Sequence, residues 1–111
     1  MEKTITFLGK EVKVAFNMAV EIAYEKITGK PFTNEDINNS ESTLALYFAV
    51  LTINNPDLDI SIDDILLKAK GGDLRAMSAA VVECFLDWAE VPETLHAEKA
   101  KKEDEGDSPN A

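Results

Sequence analysis

The chain has 111 residues, with 11 basic and 21 acidic side chains and a net charge of −10 when its one histidine is neutral. That length holds one domain, and 45% hydrophobic with 29% charged residues excludes a disordered acidic chain, a collagen-like chain and a membrane span. One cysteine cannot form an internal disulfide, so the fold does not depend on oxidation. No apolar run reaches the ~18 residues of a spanning helix, and Met1-Glu2-Lys3-Thr4 lacks the layout of a signal peptide. A cytoplasmic protein is expected. The acidity also argues against binding nucleic acid, whose phosphates need clustered Lys and Arg.

Ile5 and Phe7 alternate with Thr4, Thr6 and Leu8, and Val12, Val14 and Phe16 alternate with Glu11, Lys13 and Ala15. Two period-two runs about Leu8-Gly9-Lys10 predict a β-hairpin, with Gly9 at a positive φ. Its apolar face needs cover, since a lone hairpin is marginal in water, and the first helix is expected to supply it. That helix runs from Met18 to Thr28, between Asn17 as N-cap and Gly29 as left-handed C′ residue. Ala19, Ile22, Ala23 and Ile27 form its expected buried stripe. Lys30-Pro31-Phe32 ends it, because Pro31 disfavours helix at Lys30.

Thr33 with Asp36 can cap a short turn, and the polar stretch 34–42 reads as a loop. Ser42 is expected to cap a second helix that ends near Ile53, before Asn54-Asn55-Pro56. Ser61 and Asp64 form a capping box for a third, Ile62 to about Lys70. Gly71-Gly72 should break it, and Asp73 should cap a fourth from Leu74 to about Glu90, closed by Pro92. Residues 93–111 carry six acidic and three basic side chains and few large apolar ones, so a flexible charged tail is expected. The expected fold is therefore α+β and mainly α. An N-terminal hairpin packs on about four helices within a single domain, 1–92, followed by a disordered acidic tail, 93–111.

Few residues suggest chemistry. Asp57, Asp59 and Ser61 match the first positions of a calcium loop, but Ile62 and Lys68 stand where its Gly and Glu belong. Gly71-Gly72 lacks the rest of a phosphate-binding loop, and Asp73 puts a negative charge where the phosphate would sit. Cys84 falls on an apolar helical stripe and reads as a buried thiol. His96 has no second ligand nearby. Asn38-Asn39-Ser40 fits a glycosylation sequon that means nothing without secretion. No nucleophile–base pair is visible, so no enzyme, cofactor or metal is expected.

The informative feature is an excess of apolar helix surface. Helix four places Leu74, Met77, Val81, Cys84, Phe85 and Trp88 on one face, with Ala79, Val82, Leu86 and Ala89 as a shoulder. This arc of roughly 220° is about twice what one core needs. Helix two is apolar nearly all round from Leu44 to Ile53. Either the two helices pack together in a helix-rich core, or part of their surface receives a partner. The outward candidates are Leu46, Val50 and Ile53 on helix two, and Val82, Leu86 and Ala89 on helix four. They would line a groove for a client helix or for a second copy of the chain.

The order of elements carries a resemblance. Gly9-Lys10-Glu11 at the hairpin turn leads to Phe16-Asn17-Met18 and a helix ending Thr28-Gly29-Lys30-Pro31-Phe32. Acidic, mostly helical segments and a charged tail follow. This is similar to the tail assembly chaperones of long-tailed phages and prophages, with residues 4–32 matching best. The resemblance implies a non-enzymatic protein that coats a long helical tape-measure protein while tail tube subunits assemble around it. Helix-in-groove binding fits the broad apolar surfaces, and the negative charge would keep a coated complex dissolved. Two other classes stay open: a homo-oligomeric adaptor or structural protein, and an acidic inhibitor that imitates nucleic acid.

Overall fold

The computed structural model of the chain describes residues 1–33 and 39–90. Its elements are β1 (Lys3–Phe7), β2 (Lys10–Val14), α1 (Met18–Thr28), α2 (Ser40–Asn54), α3 (Ile62–Lys68) and α4 (Gly71–Trp88). The fold is mainly helical with an N-terminal antiparallel hairpin, as the sequence predicts. The turn proposed for Thr33 and Asp36, the sequon Asn38, Pro92, His96, the 1–92 boundary and the tail 93–111 lie outside the described residues.

The strands pair in one continuous register, with Phe7 opposite Lys10, Ile5 opposite Val12 and Lys3 opposite Val14. Leu8 and Gly9 form the turn between them, with φ of 52° and 78°. Two successive positive φ angles give the turn a twist that suits the hairpin, at some strain for the branched Leu8. Phe7, Val12, Val14 and Phe16 are buried and Ile5 is partly so, which is the apolar face expected from the alternation.

The layer that covers this face differs from the expectation. The hairpin packs on α4 and α2, whereas α1 packs on α2. α4 runs antiparallel along β1 and is fixed at both ends of it. The Leu8 N–H donates to the Asp73 carboxylate at 3.2 Å, and the Lys3 ammonium pairs with Glu83. Ten residues of helix span about 15 Å and five of strand about 17 Å, so the two anchors are matched in length.

The helix ends hold most of the corrections. Asn17 accepts from the Val20 N–H at 3.0 Å and Gly29 has φ 75°, so α1 has the expected caps. Its buried face is instead Val20 and Tyr24, while Ala19 and Ile22 are exposed. Ile27 is exposed as well, whereas Ala23 of the expected stripe packs partly buried against the core. Approach of α2 to the Val20–Tyr24 line decides which of two similarly apolar stripes is covered.

α2 begins at Ser40 rather than at Ser42. The Asn39 side chain accepts from the Glu41 and Ser42 N–H groups, which leaves Ser42 buried in the first turn. The capping box of Ser61 and Asp64 forms as expected, and α3 ends at Lys68. The break before α4 falls at Ala69 and Lys70, whose backbones are extended. Gly71 and Gly72 lie inside α4, because the Asp73 carboxylate reaches back to the Lys70 N–H at 3.0 Å and starts the helix there.

Candidate functional site

Three consecutive apolar residues, Ile65-Leu66-Leu67, sit in a helix of seven residues. At 100° per residue they cannot share one face. Ile65 takes the core position, and Leu66 and Leu67 are left 62% and 78% exposed. Leu74, in the first turn of α4, is 40% exposed. Single exposed leucines are ordinary on a protein surface, whereas leucines that share a depression form a binding feature.

Such a depression lies between α2, α3 and the start of α4. Leu44 and Tyr47 line it from α2, Ile65 and Leu66 from α3, Ala69 from the break that follows α3, and Leu74 from α4, with a volume of about 310 Å³. Ser40 and Thr43 also line it and add hydroxyls. Tyr47 is buried, and its hydroxyl bonds Ser78. Burial pushes the phenol above its ordinary pKa and the Ser78 bond opposes this, so the wall stays neutral at physiological pH. The cleft therefore offers aliphatic contact and a few hydroxyls.

α3 is capped at its start beside this cleft. Ser61 accepts from the Asp64 N–H at 3.1 Å, and Asp64 accepts from the Ser61 N–H at 2.9 Å. The Lys68 ammonium joins Asp64 at 3.1 Å. The Ser61 N–H, then Lys68, hold the Asp64 carboxyl below its ordinary range.

The six partner residues inferred from sequence are not brought together here. Leu46 and Val50 are fully buried in the core, and Leu86 is buried as well. Val82 is half-buried, while Ile53 is exposed on α2 and Ala89 is exposed just past the end of α4. None of the six lines the cleft. For α2 the physical reason is that α1, α3 and the hairpin cover it on several sides, so its all-round apolar character serves the core. The exposed cleft residue that the sequence reading missed is Leu66, while Leu74 was placed on the apolar face of helix four but not as a partner residue. The signal for Leu66 was available, since the Ile65-Leu66-Leu67 run exceeds what so short a helix can bury.

Cys84 is buried in the core and its thiol donates to the Val14 carbonyl at 3.5 Å. Burial raises its pKa. Among the described residues no three His, Cys, Asp or Glu side chains gather as a metal site, and no helix is long and apolar enough to cross a membrane. No protein-family model, curated protein or solved structure matches the chain. Fold and cleft together define a mainly helical protein with an open apolar depression between α2, α3 and α4.

Proposed function

We propose that the protein is a non-enzymatic tail assembly chaperone, which seats amphipathic helices of a long tape-measure-like client in the α2–α3–α4 cleft. The observation that carries this reading is the cleft itself, walled by Leu44, Ile65 and Leu74, with Leu66 standing largely in solvent beside it. An amphipathic helix presents apolar side chains at i, i+3, i+4 and i+7, which suits an aliphatic groove. The resemblance of residues 4–32 to tail assembly chaperones supports the choice of client. A net charge of −10 supports the solubilising part of the role. Tail tube subunits are the second partner that this reading implies, and the cytoplasm of a host cell is its setting.

Co-expression with a helical tape-measure segment tests the proposal. The client segment should remain in the soluble fraction with the wild-type chain and precipitate with the Leu66→Asp variant. Equal client solubility with both chains would contradict it.

A further inference from the structure

The cleft between α2, α3 and α4 carries unlike charges at its two ends. Ile62, at the start of α3, meets α2 beside Glu41 and Ala45 in an adjoining depression. Asp63 follows Ile62, so this end holds two carboxylates. The other end is the passage from α3 into α4. There Ala69 and Leu74 line the cleft, and Lys70 and Arg75 each stand one residue further along. The Arg75 guanidinium folds back over Gly71, since a Cβ placed on residue 71 would stand 3.2 Å from its Nη1. Gly71, Leu74 and Ser78 share one face of α4, and Ser78 bonds Tyr47 of the cleft wall. The guanidinium therefore borders the cleft.

The other charges nearby are already engaged. Asp64 takes the Ser61 N–H and the Lys68 ammonium, and Asp73 takes the N–H groups of Leu8 and Lys70. Glu41, Asp63, Lys70 and Arg75 are exposed, and among the described residues none of the four has an oppositely charged partner. Cations are favoured at the end of a helix and disfavoured at its start, so α4 gains no stability from Lys70 and Arg75. Seven residues separate Asp63 from Lys70, about 10 Å at helical rise. Exposed charges are screened over ~8 Å at physiological salt, so a bound helix meets the two ends separately.

We infer, resting on the reading of the cleft as the client's seat, that it takes an amphipathic helix with one acidic and one basic end and holds it in one direction. The client's aliphatic stripe enters between Leu44, Ile65 and Leu74. Its carboxylates lie over Lys70 and Arg75, and its ammonium groups over Glu41 and Asp63. Apolar contact alone would accept such a helix either way round, because a stripe at i, i+3, i+4 and i+7 is similar from both ends. Reversal sets like charges together at both ends of the cleft, and that repulsion fixes the direction. The net charge of −10 acts in the same sense: an acidic segment is repelled from most of the surface and finds counter-charges at the α3–α4 passage.

Nuclear magnetic resonance titration of the full chain with three synthetic helices tests the inference. All three carry leucine at i, i+3, i+4 and i+7. The first has Glu flanks in its N-terminal half and Lys flanks in its C-terminal half, the second has them exchanged, and the third has Gln throughout. A nitroxide at the Glu end of the first two should broaden the Gly71 and Gly72 amides more strongly than those of Ile62 and Asp63. Lys70→Glu with Arg75→Glu, both at exposed positions, should weaken binding of the charged helices by at least roughly tenfold and leave the Gln helix unaffected. If that variant does not fold, Lys70→Gln with Arg75→Gln should abolish the difference in broadening. A Gln helix bound as tightly as the charged ones, or equal broadening at both ends, would overturn the inference and leave the cleft reading standing. Binding of none of the three would overturn both. Anionic vesicles bound through Leu66, Lys70 and Arg75 in place of the helices would also overturn it, as would self-association of the chain through those residues.

Discussion

Asn55 meets both backbone polar groups of Lys13: its Oδ1 accepts from the Lys13 N–H at 2.8 Å, and its Nδ2 donates to the Lys13 carbonyl at 2.9 Å. One side chain thus replaces a strand residue on the β2 edge. The same Nδ2 reaches the Leu51 carbonyl at 2.9 Å, so the hairpin and the end of α2 share a single amide. Asn55→Ala should lower stability by about 1–2 kcal/mol in urea unfolding with an unchanged slope, as expected for partly exposed hydrogen bonds. A change below about 0.3 kcal/mol would show that solvent replaces these bonds without loss.

Phe16 organises the aromatic cluster between the hairpin and α4. Its ring centroid lies 5.6 Å from Phe32, 5.1 Å from Phe85 and 5.0 Å from Trp88. Phe16→Ala should therefore cost about 3–5 kcal/mol, from lost burial and the cavity left behind. Chemical denaturation measures it, and a loss under about 1 kcal/mol would remove Phe16 from the core.

Much of this fold is legible in the sequence where a local rule acts alone. Asn17, Gly29 and the Ser61–Asp64 box are such cases, since a cap needs only its own turn. The errors fall where tertiary contact chooses between similar options. α1 offers two comparable stripes, and the placement of α2 selects Val20 and Tyr24 over Ala19 and Ile22. Gly71 and Gly72 break helices in isolation, but the Asp73 carboxylate, anchored to Lys70 and Leu8, carries α4 through them. The surface of α2 posed the same problem at larger scale. Its periodicity could not say whether Leu46 and Val50 faced a partner or three neighbouring elements.

The Asp64 carboxyl carries a pH signature. Its folded pKa lies below the ordinary value, so its contribution is present above the unfolded value of about 3.9 and is lost as pH falls through the folded value. Asp64→Asn should destabilise the chain near pH 6 and converge with the wild type in melts as the pH falls through the lowered folded pKa. A difference that persists unchanged at low pH would mean that the carboxylate charge plays no part in the box.

Cys84 has the opposite sign. Burial raises its pKa, so the folded state favours the neutral thiol at a pH where an unfolded chain begins to ionise. Stability should decline as pH rises above about 8.5, and Cys84→Ser should change the slope of that decline. Maleimide labelling at pH 8 should be slow in the native chain and fast in denaturant. Rapid native labelling would place the thiol at the surface.

Whether the α2–α3–α4 cleft receives a client helix is tested most directly by titrating a fluorescent amphipathic helix from a tape-measure protein against the chain. Wild-type protein should bind it saturably, and Leu66→Ser should weaken binding by at least roughly tenfold while the melting temperature stays within a few degrees, because that side chain is 62% exposed. Equal binding by wild type and Leu66→Ser, or none by either, would contradict the chaperone reading of the cleft.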